Sequence, residues 1–281
     1  MFDKALTALD LSPAEQPILD CLPALQDWGV RHLVLTHVIQ IGYMQGIPLA
    51  HEQDYVDWLE KCAQPLRDQG LSVEVQIRAS GVPADEILAA AGETGADLIV
   101  IGSRGQNILS KLFLGSVARD VIRKTTVPLL LEWIEPTAEA TRARCEAVCT
   151  DTLRHILFAT DFSQHAVAAE NAVLELAPKA QQVDCLHVMA SDDKAATPAL
   201  PIMAQAALSA LVQRIEAVGG QGRTTLLEGK ASIEIARHAA SQDASLIVVG
   251  KHGQNWIAST LIGSTAANLG EIAGRPVLMV P

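Results

Sequence analysis

Two short stretches of this chain have residue types and a spacing suited to holding a phosphate. One reads Gly102-Ser103-Arg104-Gly105, then nine residues, then Gly115-Ser116. The other reads Gly250-Lys251-His252-Gly253, then nine residues, then Gly263-Ser264. A glycine pair just past a strand lets the backbone turn tightly and lets a ligand approach the amides with no Cβ in the way. The closing Gly-Ser opens a helix, whose N–H groups and positive dipole end favour an anion, by about 0.3–1 kcal/mol for the dipole alone. Hydrogen bonds to a charged group add about 1.5–3 kcal/mol each. The Ser116 and Ser264 hydroxyls can donate as well. Arg104, Lys251 and His252 are auxiliary cations, and Arg104 could serve ribose or phosphate. A plain strand-to-helix turn is the alternative for either stretch alone. Two stretches of identical spacing favour binding.

Asp10 and Asp161 end the first strand pattern of each half. A carboxylate there can accept from an adenine amino group or a ribose hydroxyl. It can equally cap a helix or a turn, because Asp10-Leu11-Ser12-Pro13 and Asp161-Phe162-Ser163 both read as helix starts. His37 and His187 end the second strand and read as structural histidines. The following Val38 and Val188 can offer backbone groups to a base.

The elements that must position these residues come in two sets. Leu98-Ile99-Val100-Ile101-Gly102 is echoed by Leu246-Ile247-Val248-Val249-Gly250, 148 residues later, and Pro128 by Pro276 at the same offset. His37-Val38 matches His187-Val188 at an offset of 150, and Leu6 to Asp10 matches Leu157 to Asp161 at 151. A unit of about 130 residues repeated with small loop changes is a duplicated domain. The boundaries read as residues 1–135, a linker of 136–152 with a helical turn or two, and residues 153–281.

The first copy predicts strands at Lys4–Leu9, His32–His37, Ser72–Ile77, Leu98–Ile101 and Val127–Leu131. Its helices fall at Glu15–Trp28, Glu52–Gln69, Pro83–Gly95 and Gly115–Thr125. The second predicts strands at His155–Thr160, Gln182–His187, Gly222–Leu227, Leu246–Val249 and Val277–Val280. Its helices fall at Gln164–Ala177, Pro201–Val218, Ser232–Gln242 and Gly263–Ala273. Alternation of this kind implies an α/β fold of two tandem doubly wound domains, each a parallel sheet with helices on both faces. Ligands of such sheets bind beyond the carboxyl ends of the strands, where strand order reverses.

Composition excludes some classes. A net charge of -11 argues against a general nucleic-acid binder, which needs clustered Lys and Arg. Residues 1–135 carry 10 basic and 18 acidic side chains (net -8), whereas residues 153–281 carry 9 and 11 (net -2). Screening beyond about 8 Å still lets a local cradle hold an anion against that global sign. Aromatics at 4% disfavour a flavin carrier. The five scattered cysteines read as reduced thiols of a cytoplasmic protein. Residues 1–10 lack the pattern of a signal peptide, and no run of about 18 apolar residues predicts a membrane span.

The segment Ala96-Asp97-Leu98-Ile99-Val100-Ile101-Gly102-Ser103-Arg104-Gly105, with Gly115-Ser116-Val117-Ala118 and Val127-Pro128-Leu129-Leu130, resembles the universal stress protein family. So does His155-Ile156-Leu157-Phe158-Ala159-Thr160-Asp161-Phe162-Ser163. The resemblance covers both copies and leaves out the linker. It implies five strands per domain in the order 3-2-1-4-5, of the adenine nucleotide alpha hydrolase-like type. It also implies an intrachain pseudo-dimer through the fifth strands, and leaves a further homodimer open. In the family's ATP-binding branch the glycine motif holds ribose and phosphates, and the first-strand Asp and second-strand Val meet the adenosine. Those positions are Asp10, Val38, Gly102, Gly105, Gly115 and Ser116, and Asp161, Val188, Gly250, Gly253, Gly263 and Ser264. Leu9, where a small or hydroxyl residue is common, and Ser245, where the first copy has Asp97, are departures that put equal affinity of the two sites in doubt.

The expected cofactor is therefore ATP, with or without Mg2+, in a stress-response regulator or switch read by an unnamed protein partner. A slow ATPase and a non-binding scaffold are the alternatives. The chain has no Walker Lys-Ser/Thr loop, His-Glu-x-x-His or nucleophile elbow, which weakens the enzyme reading.

Overall fold

The computed structural model describes residues 2–40, 52–104, 114–136, 143–145, 151–190, 199–253 and 262–281. The chain divides into two compact units, Met1–Thr150 and Asp151–Pro281.

In the first unit the strands are β1 (Lys4–Ala8), β2 (His32–Gln40), β3 (Ser72–Ser80), β4 (Leu98–Gly102) and β5 (Leu129–Glu132). All neighbours are parallel and lie in the order β3-β2-β1-β4-β5. The helices are α1 (Glu15–Cys21), α2 (Glu52–Asp68), α3 (Pro83–Thr94) and α4 (Ser116–Lys124). They cover both faces of the sheet, so β4 is apolar at every position from Leu98 to Ile101, all buried. The helices return small or branched residues to it: Leu59, Ala63 and Leu66 from α2, and Ile87, Ala90 and Ala91 from α3.

The expected helix over Glu15–Trp28 is instead α1 followed by a 3-10 turn at Leu22–Gln26. Pro23 has no N–H to continue the α-helical ladder, which accounts for the tightening. Strands β2 and β3 each run three residues past their expected limits at His37 and Ile77, because they pair as far as Gln40 with Ser80.

Residues read as linker are partly strand. β6 (Ile134–Pro136) pairs antiparallel with β7 (Ala143–Cys145), where helical turns were expected. Strand β7 packs against α1, which puts this segment with the first unit. Cys21, at the end of α1, is disulfide-bonded, so the expectation of reduced thiols holds for Cys62 and Cys185 and fails at Cys21. Tertiary placement decides a pairing of this kind, and cysteine spacing does not.

The second unit repeats the plan. Its strands are β8 (Ile156–Ala159), β9 (Val183–Met189), β10 (Gly222–Glu228), β11 (Leu246–Gly250) and β12 (Val277–Val280). They are parallel, in the order β10-β9-β8-β11-β12. The helices are α5 (Val167–Leu176), preceded by a 3-10 turn at Gln164–Ala166, α6 (Leu200–Ala217), α7 (Ala231–Ser241) and α8 (Ser264–Ile272). Among the described residues no helix is long and apolar enough to cross a membrane.

Candidate nucleotide-binding turns

In both units the chain runs outward from the first strand in one direction, then returns to its other side for the fourth and fifth. Strand order therefore reverses between β1 and β4, and between β8 and β11. Ligands of open parallel sheets sit beyond the strand ends at this reversal. Asp10 follows β1 and Gly102 ends β4; Asp161 follows β8 and Gly250 ends β11. Asp10 and Gly102, and Asp161 and Gly250, thus lie at the same end of their sheets, on neighbouring strands.

The turns are built alike. The Ser103 N–H donates to Glu132 O at 2.8 Å, and the Gly115 N–H donates back to Ser103 O at 3.0 Å. In the second copy the Lys251 N–H donates to Val280 O at 2.6 Å and the Gly263 N–H to Lys251 O at 2.8 Å. These bonds seat the helix openings of α4 and α8 over the end of β4 and β11. Gly115 and Gly263 are the N-cap residues of α4 and α8, and as glycines they supply no side-chain cap to the first-turn amides. Ser116 and Ser264 are exposed at those openings. Gly105 lies outside the described residues.

The glycines are present for close approach. A Cβ on Gly102 would fall 2.8 Å from Ile18 Cδ1 and 3.1 Å from Arg104 O. One on Gly250 would fall 3.1 Å from His252 O and 3.3 Å from His165 O. At Gly253 it would fall 2.7 Å from Asp161 Oδ2, which brings the first-strand carboxylate directly onto the glycine turn. Gly115 differs: among the described residues the nearest neighbour of a Cβ there would be Ser103 O at 3.7 Å, an ordinary contact.

Asp10 and Asp161 close turns, as the second sequence reading of them held. Asp10 Oδ1 accepts from the Ser12 N–H at 3.2 Å, and Asp161 Oδ1 from the Ser163 N–H at 3.0 Å. A carboxylate offers about four lone-pair sites, so this bond does not exhaust it. The residues after them, Leu11 and Phe162, both adopt φ 58°, a left-handed conformation that bulky side chains seldom take. Both side chains are exposed, at 47% and 39%.

His37 and His187 are structural. His37 Nδ1–H donates to Leu9 O at 2.8 Å, and His187 Nδ1–H to Thr160 O at 2.8 Å. A carbonyl can only accept, so the proton is on Nδ1 in both copies. Each ring carries an aromatic neighbour: Tyr55 stacks on His37 at 5.0 Å, and Phe162 lies tilted on His187 at 4.8 Å. Val38 and Val188 follow, half-buried near the strand ends. Tyr55, on α2, was not singled out from sequence, because its helix is brought to the end of β2 only by the fold.

Arg104 is half-buried beside the first turn. Its counterpart loop carries Lys251, almost wholly buried, where burial pushes the amine down to about 8. His252 is also held below the ordinary imidazole range, first by burial and then by Lys251 and His165. The departure at Ser245 lies elsewhere. Asp97 accepts from the Asp3 and Lys4 N–H groups, and Ser245 Oγ accepts from the His155 N–H, so both tie the chain entering the first strand. That position is at the opposite end of the sheet from the turns.

The fold and the paired turns define a tandem α/β protein with one glycine-lined turn per domain. The model of the universal stress protein family matches residues 1–131 and again 152–281, and the chain belongs to that family and to its stress-response class. It is 32% identical over 147 residues to universal stress protein YxiE of Bacillus subtilis, covering 47% of this chain and 99% of that one. A universal stress protein of Mycolicibacterium smegmatis is 24% identical over 251 residues, covering 85% and 80%. Among solved structures, a universal stress protein from Archaeoglobus fulgidus has a TM-score of 0.73 at 22% identity, covering 99% of this chain and 97% of that one, which is a likeness of fold.

Proposed function

We propose that each copy is an adenine-nucleotide site with ATP as ligand, and that the chain works as a nucleotide-dependent regulator in the stress response. One observation carries this reading. The helices α4 and α8 open on glycines, Gly115 and Gly263, which supply no side-chain cap to the first-turn amides, directly over the turn that ends the fourth strand. An uncapped helix start of that kind suits a phosphate.

The polyphosphate would lie against Gly102, Gly115 and Ser116 in one copy and Gly250, Gly253, Gly263 and Ser264 in the other. Asp10 or Asp161 would accept from the nucleoside, and the main chain at Val38 or Val188 would face the base. ATP brings the anionic tail; magnesium, when it accompanies ATP, would bind the phosphates themselves.

The test is direct. Protein purified without added nucleotide is denatured, and its supernatant is analysed by mass spectrometry. Adenosine phosphates approaching two per chain are expected. Gly115→Val should halve that number with little loss of stability, because a Cβ there comes no nearer than 3.7 Å to any described neighbour while the added methyls stand at the helix opening proposed for phosphate. No nucleotide in the extract, together with no heat on titration with ATP, would refute the reading. Accumulation of ADP from added ATP, lost with the turns, would move the protein to the slow ATPases.

A further inference from the structure

We infer that the outer face of α6 is a self-association surface, on which a second copy of this chain docks helix against helix, antiparallel about Ala206.

Helix α6 turns Ala204, Leu208, Leu211 and Ile215 inward and packs on β9 and β10. Its other face is also apolar. Ile202 and Met203 are 74% and 63% exposed, the two most exposed large apolar side chains among the described residues. Ala206, Ala210 and Gln213 are exposed beside them, and Ser209 is half-buried. No charged residue occurs from Ala199 to Gln213. A helix that is apolar on every side is ordinarily covered on every side.

The fold itself does not demand such a face. Helix α2 takes the same place in the first unit, burying Leu59 and Leu66 where α6 buries Leu208 and Ile215, at an offset of 149. At that offset Gln53, Asp54, Asp57, Lys61 and Gln64 of α2 stand for Ile202, Met203, Ala206, Ala210 and Gln213, and all five are exposed. The first copy keeps a solvated, charged face, and the second carries no charge on it.

The chemistry of the face selects its own copy as occupant. Ile202, Ala206, Ser209 and Gln213 recur at intervals of four, three and four, the seam spacing of paired helices. Turned end for end about a twofold axis at Ala206, the face meets itself with Ile202 opposite Ala210 and Met203 opposite Ser209. Large then meets small in both directions, as an isologous contact requires. The hydroxyl in the seam is already satisfied, because Ser209 Oγ–H donates to Gln205 O at 2.9 Å, so covering it strands no donor. Charge agrees. Two chains of net -11 repel, but residues 153–281 hold only -2 of that and the seam holds none. The next charge along the helix, Arg214, is tied to Glu170. A membrane-surface helix would carry Lys and Arg on its polar side, and a charged peptide would need an opposite charge; this face offers neither. A seam of about 20 Å is at the small end of specific interfaces, so the dimer is weak, with a Kd on the order of 100 µM.

The full chain is followed by sedimentation velocity from about 5 to about 300 µM, in about 0.15 M and about 1 M salt. A reversible dimer that persists in high salt is expected. Ala206→Glu sets two carboxylates face to face on the axis and should raise Kd at least roughly tenfold. Its melting temperature at low concentration should match that of the parent chain, because the position is exposed. Ile202→Asp, away from the axis, should weaken the dimer as well, and Asp57→Ala on α2 should leave it unchanged.

Monomer alone at the highest concentration would overturn the inference. A dimer indifferent to Ala206→Glu and Ile202→Asp would lie on another surface and overturn it too, as would one that dissolves in high salt. A chain that stays monomeric but binds neutral or anionic lipid vesicles through Ile202 and Met203 would give the face to lipid instead.

Discussion

Gly253 and Gly115 are different positions of the repeated motif and meet different surroundings. A methyl group on Gly253 would collide with Asp161 Oδ2 at 2.7 Å, so the carboxylate, the turn or both must shift. Gly253→Ala is expected to weaken nucleotide binding in the second copy at least roughly tenfold while leaving the first intact. Calorimetric stoichiometry falling from two to one would show it; an unchanged value of two would count against the geometry. The glycine spacing made the turns legible in sequence, because few other reasons repeat Gly-x2-Gly-x9-Gly-Ser after an apolar strand. The division of labour within them was not legible. That Asp161 both closes its own turn and presses on Gly253 depends on where strand ends converge in space. No local pattern encodes such a meeting.

Among the elements, β9 carries an anomaly that its apolar run conceals. Asp184 is wholly buried in the sheet and accepts from Arg223 at 2.9 Å, Thr225 at 2.8 Å and His238 at 2.7 Å. The first copy has Val34 at this place, equally buried. Three partners offset the desolvation of the carboxylate. Removing it would take from Thr225 and His238 the partner they share inside the sheet, while Arg223, itself part-exposed, would keep Gln242. Asp184→Ala is therefore expected to cost about 3–5 kcal/mol of stability, measured by urea unfolding. A loss under about 1 kcal/mol would mean the network is dispensable. Most elements were legible, because a parallel sheet covered on both faces demands continuous apolar strands. Their limits were less so. Pairing of β2 with β3 extends both strands past His37 and Ile77, and Pro23 cuts α1 short of the span its periodicity suggested. The strand at Ala143–Cys145 had no pattern of its own and exists by pairing with β6.

At the level of the whole molecule, the duplication was read from offsets alone, and the two units bear it out. The disulfide at Cys21 was invisible, since composition argued for reduced thiols. A second hidden property is the response of stability to pH. Glu132 ends β5, is fully buried, and burial pushes its carboxyl up to about 7. Its folded value lies above its unfolded one. The stability it permits is thus complete below about pH 4 and is lost as pH rises through about 7, by on the order of 3 kcal/mol. Glu132→Gln should raise the melting temperature of the full chain at about pH 8 and change it little at about pH 4. Equal shifts at both would separate the effect from ionisation.

The left-handed turns at Leu11 and Phe162 have a consequence for how binding could be felt elsewhere. A bulky L-residue held at φ 58° sits uphill by about 1–2 kcal/mol. Each turn joins the carboxylate at the strand end to the start of the next helix, so the two domains each keep a small cocked spring beside the glycine turn. A ligand that engages Asp10 or Asp161 acts on one end of that spring. Release at the other end would be felt first where α1 and the 3-10 turn before α5 begin.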